Sequence, residues 1–294
     1  MRPTVDVVVP FVGPDAELTE LCQHIGALDL REGDSAVVVD NRPAAGSEDR
    51  VINGVRVIGA PELQTSYHAR NRGAQAGHAA WLVFVDADVR VPADLIESYF
   101  EPEPGDQTGV LAGEIGNETV TGGERRALAV RYAHLAELFA QRKTLETGEF
   151  AYAMTANCAI RRTAFAAVTG FVDNVRSGGD ADICFRIVRA GWEIESRSHA
   201  AVTHVNRPTV RKLVRQSARH GSGAAWLNRV YPGFSRPSRL SGLLYRSTRA
   251  LLAAVISVVQ GNRDQALVTS IDAVRSVAFE AGRRASNEVS PPSG

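Results

Sequence analysis

Trp81-Leu82-Val83-Phe84-Val85-Asp86-Ala87-Asp88 decides how this chain is read. Five apolar residues without a break, closed by two carboxylates, have the composition of a strand covered on both faces, as in a parallel sheet flanked by helices. Upstream, residues 68–78 have helix composition; downstream, residues 92–100 read as another helix, with Pro92 near its start. Towards the N-terminus, residues 5–9, 36–39 and 55–58 are further short β-branched runs, with a crossover helix expected over 18–28. Strands alternating with helices imply right-handed βαβ units and a doubly wound α/β sheet. Beyond residue 100 the pattern is mixed: a strand over 110–115, a long helix over 124–145 and a short strand over 201–203. From about residue 213 helix dominates, broken at Tyr231-Pro232-Gly233 and Pro237.

A chain of 294 residues can bury one large core with a smaller unit attached. Its 44% hydrophobic and 22% charged residues exclude a disordered polyelectrolyte. Cys22, Cys158 and Cys184 are scattered and form no CxxC pair, which excludes a disulfide framework or a structural zinc and fits a reducing compartment. Arg2 leads directly into the first strand without the shape of a signal peptide. The longest apolar run, 251–259, is well short of the roughly 20 residues a spanning helix needs. The expected location is cytoplasmic. The net charge of zero hides an asymmetry: from Val205 onward there are 14 Lys or Arg against 4 Asp or Glu, a net of +10, so residues 1–204 carry −10. A basic tail on an acidic body suits a separate partner, nucleic acid or an anionic membrane surface.

Asp86 and Asp88 come immediately after the apolar strand, and in open α/β sheets ligands bind beyond the carboxyl ends of strands. Two carboxylates there suit a hard divalent cation, Mg2+ or Mn2+, which shares its oxygen ligands with substrate phosphates. Aspartates also punctuate turns, so the spacing alone leaves both readings open.

Four further stretches flank this one in order: Val7-Val8-Val9-Pro10, Val37-Val38-Val39-Asp40-Asn41, Ala69-Arg70-Asn71-Arg72-Gly73, and Met154-Thr155-Ala156-Asn157 followed by Ile160-Arg161-Arg162 and Gly170-Phe171. Together the five resemble the family 2 glycosyltransferases of the GT-A fold. The resemblance implies a GT-A domain over residues 1–212, a doubly wound mixed or parallel sheet flanked by helices. A basic helical region over 213–294 would follow, with a loose tail from Ser286. It further implies inverting, non-processive hexosyl transfer from a nucleotide-sugar, by default a UDP-sugar. Asp88 and His204 would hold the metal, with Asp86 on the metal or the ribose and Asp40 on the base. Pro10, Arg70 and Asn157 would line the nucleotide. Gln216-Ser217-Ala218-Arg219-His220 resembles the family's Q-x-x-R-W motif with His for Trp, which places Arg219 on the departing diphosphate. The missing Trp and spans argue against a processive synthase.

Gly178-Gly179-Asp180-Ala181-Asp182 resembles the family's E-D-x-D segment, with Asp180 on the base and Gly179 in place of the Glu. A carboxylate there can take the acceptor hydroxyl's proton as the oxygen attacks the anomeric carbon. An Asp ahead of an apolar helical face is also a good N-cap. In the tail, Leu243 to Val259 and Leu267 to Ala278 space their apolar residues helically. Packing against one another and the sheet is expected, with an interfacial membrane surface as the rival. Two other classes stay open. A sugar nucleotidyltransferase would need a glycine-rich basic loop that Pro10-Phe11-Val12-Gly13-Pro14 does not supply, and a non-catalytic GT-A module would bind a lipid or protein. No nucleic-acid partner is expected, and a lipid-linked or glycan acceptor would account for the basic tail, at the inner face of a membrane.

Overall fold

The computed structural model describes residues 2–46, 49–118 and 124–290. The chain divides into two compact units: Met1–Gly116 with Ala140–His204 and Glu288–Gly294, and Asn117–Phe139 with Val205–Asn287. The sequence suggests one division at residue 212; the chain instead changes unit near residues 117, 140, 205 and 288.

The first unit is built on one sheet whose described strands are β1 (Val5–Phe11), β2 (Ser35–Asp40), β3 (Arg50–Ile52), β4 (Val55–Gly59), β5 (Trp81–Val85), β6 (Val89–Arg90), β7 (Thr108–Asn117), β8 (Asn157–Arg161) and β9 (Glu193–His204). Their order is β3-β4-β2-β1-β5-β8-β7-β9-β6. β4, β2, β1 and β5 run parallel, while β8 is antiparallel to both β5 and β7, and β6 to β9. All five residues of β5 are buried, which is why it reads as an unbroken apolar run. The helices of this unit are α1 (Asp15–Ile25), α2 (Ser66–Gln75), α3 (Leu95–Tyr99), and, beyond α4 (Glu124–Leu135) of the second unit, α5 (Arg142–Leu145), α6 (Arg162–Ala167) and α7 (Gly179–Arg189). α1 buries Leu18, Leu21, Cys22 and Ile25, the spacing of one helical face. α2 starts where the Thr65 side chain accepts a 3.0 Å bond from the His68 amide, satisfying a donor the helix cannot.

Three expectations on elements need correcting. The helix expected over 124–145 is two pieces, because the chain turns at Glu137, which has φ +44°. The short strand at 201–203 extends back to Glu193. Its polar first half hid it: Arg197 is buried and donates to the Tyr99 carbonyl at 2.9 Å and to Glu195 at 2.6 Å. The tail expected to be loose from Ser286 is partly tied, since the Val289 amide donates to the Asn174 carbonyl at 2.8 Å. Residues 291–294 lie outside the described residues.

The second unit consists of α4 with α8 (Val210–Val230), α9 (Leu240–Val259) and α10 (Arg263–Gly282). Ala129, Tyr132, Leu213 and Ile271 form its buried core. α8 and α10 approach so closely that a side chain at Gly221 would run into the Phe279 carbonyl. A further correction concerns α9: it is the one described helix long and apolar enough, by length and composition, to cross a membrane. Counting only unbroken apolar residues misses it, because Arg246 and Arg249 interrupt the run.

Candidate active site

Two of the parallel strands of the first unit, β2 and β5, lead into carboxylates. Asp40 closes β2, and Asp86 and Asp88 follow β5. Between them α2 brings up Arg70, whose guanidinium is 3% exposed, pairs with Asp86 and lies over the Tyr67 ring at 5.6 Å. Burial alone would make this cation easier to neutralise, but the charges of Asp86 and Asp180 more than offset it and hold its pKa raised. Arg70 is therefore a permanent positive charge felt by both acidic segments.

The second carboxylate of the pair meets histidine through strand register. β6 pairs with β9 so that Val89 lies opposite His204. The residue before Val89 is thereby brought to the histidine, and Asp88 Oδ1 stands 3.4 Å from His204 Nε2. His204 is 2% exposed, while Asp88 is half-buried. A carboxylate oxygen and an imidazole nitrogen converging at a half-open edge fit a divalent cation. Among the described residues no group of three or more His, Cys, Asp or Glu could enclose one, so further ligand positions would be left to a substrate or water.

Asp180 is the second residue of α7. The residue that caps this helix is Gly178, in the left-handed region at φ +89°, and no side chain makes a cap bond. The N-cap alternative for Asp180 is thus not what the fold uses. Its carboxylate instead accepts from Thr155 Oγ1 at 3.0 Å and the Thr155 amide at 3.3 Å, which aim it from beneath while it stays partly exposed. Asp182 is buried and bound by Arg186 at 2.9 and 2.6 Å, a structural pair within one helix. Gly179 has its own reason: a β-carbon there would meet Tyr67 ring carbons at 2.7 Å, and that ring is held against Phe171 with centroids 5.6 Å apart. The aromatic ring fills the room that a larger side chain would need. Gly179→Glu is expected to lose about 1–3 kcal/mol of stability through overpacking, read from urea denaturation; a variant as stable as wild type would show that the ring moves aside freely.

The remaining expected residues separate. Asp40 is 1% exposed and already engaged: it accepts from Arg42 Nε and Nη2 at 2.8 and 2.7 Å and from Arg50 at 2.8 Å. Burial pushes its pKa up, but these hydrogen bonds prevail and hold it below the ordinary carboxylate range. Pro10 is half-buried in β1, opposite Val39. Asn157, expected to line the nucleotide, is corrected: it is fully buried and its amide is held inside the sheet. It accepts from Tyr99 Oη at 2.6 Å and donates to the Glu114 and Ala200 carbonyls at 2.9 and 2.7 Å. Arg219 lies exposed on α8 in the second unit, as do Arg211 and Arg215. Sequence reasoning misses Thr155 and Tyr67, although Thr155 lies inside the Met154–Asn157 motif and Tyr67 is three residues before Arg70. Cys158 and Cys184 offer no nucleophile, because burial pushes both thiols up, Cys184 to about 12.

The profile of the glycosyltransferase-like family 2 matches residues 5–223. The chain belongs to that family, and its mixed sheet with flanking helices is a GT-A fold. It is 26% identical over 244 residues to the pre-mycofactocin glycosyltransferase of Mycobacterium tuberculosis, covering 81% of this chain and 50% of that protein. The chain thus spans about half the length of the curated relatives it matches. Among solved structures it resembles a mannosyltransferase from Pyrobaculum calidifontis in complex with GDP-Man and Mn2+, at a TM-score of 0.61 and 15% identity, over 94% of this chain and 87% of the other. Glucosyl-3-phosphoglycerate synthase from Mycobacterium tuberculosis, in complex with Mn2+, UDP and phosphoglyceric acid, has a TM-score of 0.51 at 19% identity, over 77% and 78% of the two chains.

Proposed function

We propose that this glycosyltransferase moves a hexosyl group with inversion from a nucleotide-sugar, a UDP-sugar by default, to the hydroxyl of a lipid-linked or glycan acceptor. The observation that carries the proposal is the arrangement around Arg70: one buried cation paired with Asp86 after β5 and within electrostatic reach of the Thr155-held Asp180. Asp180 takes the proton of the acceptor hydroxyl as its oxygen attacks the anomeric carbon and the bond to the diphosphate breaks. Thr155 keeps that carboxylate aimed. Asp88 and His204 would hold Mg2+ or Mn2+, supplying Lewis-acid charge beside the departing diphosphate. Arg70 keeps Asp86 fixed at the edge of the site, on the metal or the ribose. Asp40 meets the base only by sharing its carboxylate with Arg42 and Arg50. The roles of Pro10 as a nucleotide contact and Arg219 on the diphosphate rest on motif resemblance alone. The basic charge of residues 205–294 supports a peripheral place at the cytoplasmic face of an anionic membrane.

A thermal-shift screen tests the reading, with UDP, GDP, dTDP and ADP, each with and without Mn2+, on wild type and Asp88→Ala. A ligand at 100 times its dissociation constant adds about 2.7 kcal/mol, a shift of several degrees. The expected result is stabilisation by one base only, dependent on metal and lost in the variant. No shift with any nucleotide would overturn the transferase and leave a binding module.

A further inference from the structure

Within the second unit, α9 buries Ala254 and Ser257 against its neighbours and leaves the opposite side uncovered. Leu244, Leu251, Leu252, Val255, Ile256 and Val259 are each 55–83% exposed. At 3.6 residues per turn they fall within one arc of roughly 140°. Single exposed apolar residues are ordinary, whereas a contiguous apolar face marks an interaction surface.

The charges around the arc say what covers it. Residues 231–263 contain Arg236, Arg239, Arg246, Arg249 and Arg263 and no Asp or Glu, and all five arginines are exposed. Arg239 precedes the helix, Arg263 opens the next one, and Arg249 lies beside the arc's edge on the helical wheel. Asp264, just beyond, is paired with Arg131 at 2.5 Å, so the apolar residues are flanked mainly by cations, which complements the acyl chains and anionic headgroups of a leaflet. A second copy of the chain, packed face to face by two-fold symmetry, would bring the same arginines against one another. A spanning orientation would have to carry α10 along, because the inner side of α9 is packed on it, and α10 holds Asp264, Asp272, Arg275 and Glu280.

We propose that α9 docks in the plane of an anionic membrane, its outer arc dipping below the headgroups while Arg239, Arg249 and Arg263 meet lipid phosphates. This deepens the membrane contact proposed for the basic region and stands independently of the transfer chemistry. The test is flotation of the full chain with phosphatidylcholine vesicles and with vesicles containing phosphatidylserine. Wild type and Leu252→Asp/Val255→Asp are compared, both changes being at solvent-facing positions that folding does not need. Wild type should float with the anionic vesicles only, and the double variant should bind at least about tenfold more weakly. Leu252→Cys gives a second readout, since Cys22, Cys158 and Cys184 are buried and a polarity-sensitive label should go to position 252. Its emission should move to the blue with anionic vesicles.

If the double variant floats as well as wild type and the label does not respond, α9 is not the docking element, although a membrane contact through other basic residues stands. If wild type floats with neither vesicle and sediments as a concentration-dependent dimer, a second copy covers α9 and both membrane readings fall. Nucleotide-induced thermal shifts are unaffected by either result and report separately on the transferase.

Discussion

Asp180→Asn is expected to bind nucleoside diphosphate and metal as wild type does and to transfer sugar about a thousandfold more slowly, within the usual range for loss of a general base. The amide keeps the size of the carboxylate, and its oxygen can still accept from Thr155 Oγ1, which now sits 3.0 Å from Asp180 Oδ1. What disappears is the ability to take a proton. Among the described residues, Asp182, buried under Arg186, and Asp86, paired with Arg70, are not placed to take over that role. The measurement is nucleoside diphosphate release from the donor with the acceptor present, beside the thermal shift of the same preparation. Loss of turnover with the shift retained isolates the proton-transfer role. Turnover near the wild-type rate would remove Asp180 from the mechanism and, with it, the base that the inverting reading requires.

How much of the fold and site is legible in the sequence follows from how local each signal is. β5 is an unbroken apolar run because side chains on both its faces are buried, and that burial is written into five consecutive residues. The carboxylates after it are legible for the same reason. Asp88 and His204 are 116 positions apart in sequence, and only the register of β6 on β9 shows that they meet. Asn157 shows the opposite case. Its motif suggests a ligand contact, but β8 runs antiparallel between β5 and β7, so its amide reaches carbonyls at 114 and 200. Those partners come from remote segments that periodicity cannot join. A capping role for Asp180 fails because Gly178 adopts a positive φ, letting α7 begin one residue before the aspartate. The composition of α9 is visible in the sequence, but which of its faces stays uncovered is not, since that depends on where α10 packs.

Arg70→Met should lower folding stability by about 3 kcal/mol, the lower part of the range for breaking a buried ion pair by removing one partner. Methionine keeps the length and apolar bulk over the Tyr67 ring, so little packing is lost and the change reports on charge. The buried member of the pair is Arg70, at 3% side-chain exposure; Asp86 is 34% exposed and can recover some hydration, which limits the loss. Asp86 and Asp180 then lose the cation whose charge both feel, so stability and the geometry of the site should fail together. Urea denaturation of wild type, Arg70→Met, Asp86→Asn and the double variant forms a cycle that isolates the pair. The double variant should be more stable than Arg70→Met alone, because neutralising Asp86 removes the stranded charge. If Arg70→Met costs less than about 1 kcal/mol, the value of an exposed pair, Arg70 is not the buried hub around which the acidic segments are arranged. The transfer site would then have to be organised by Thr155 and the register of β6 on β9 alone.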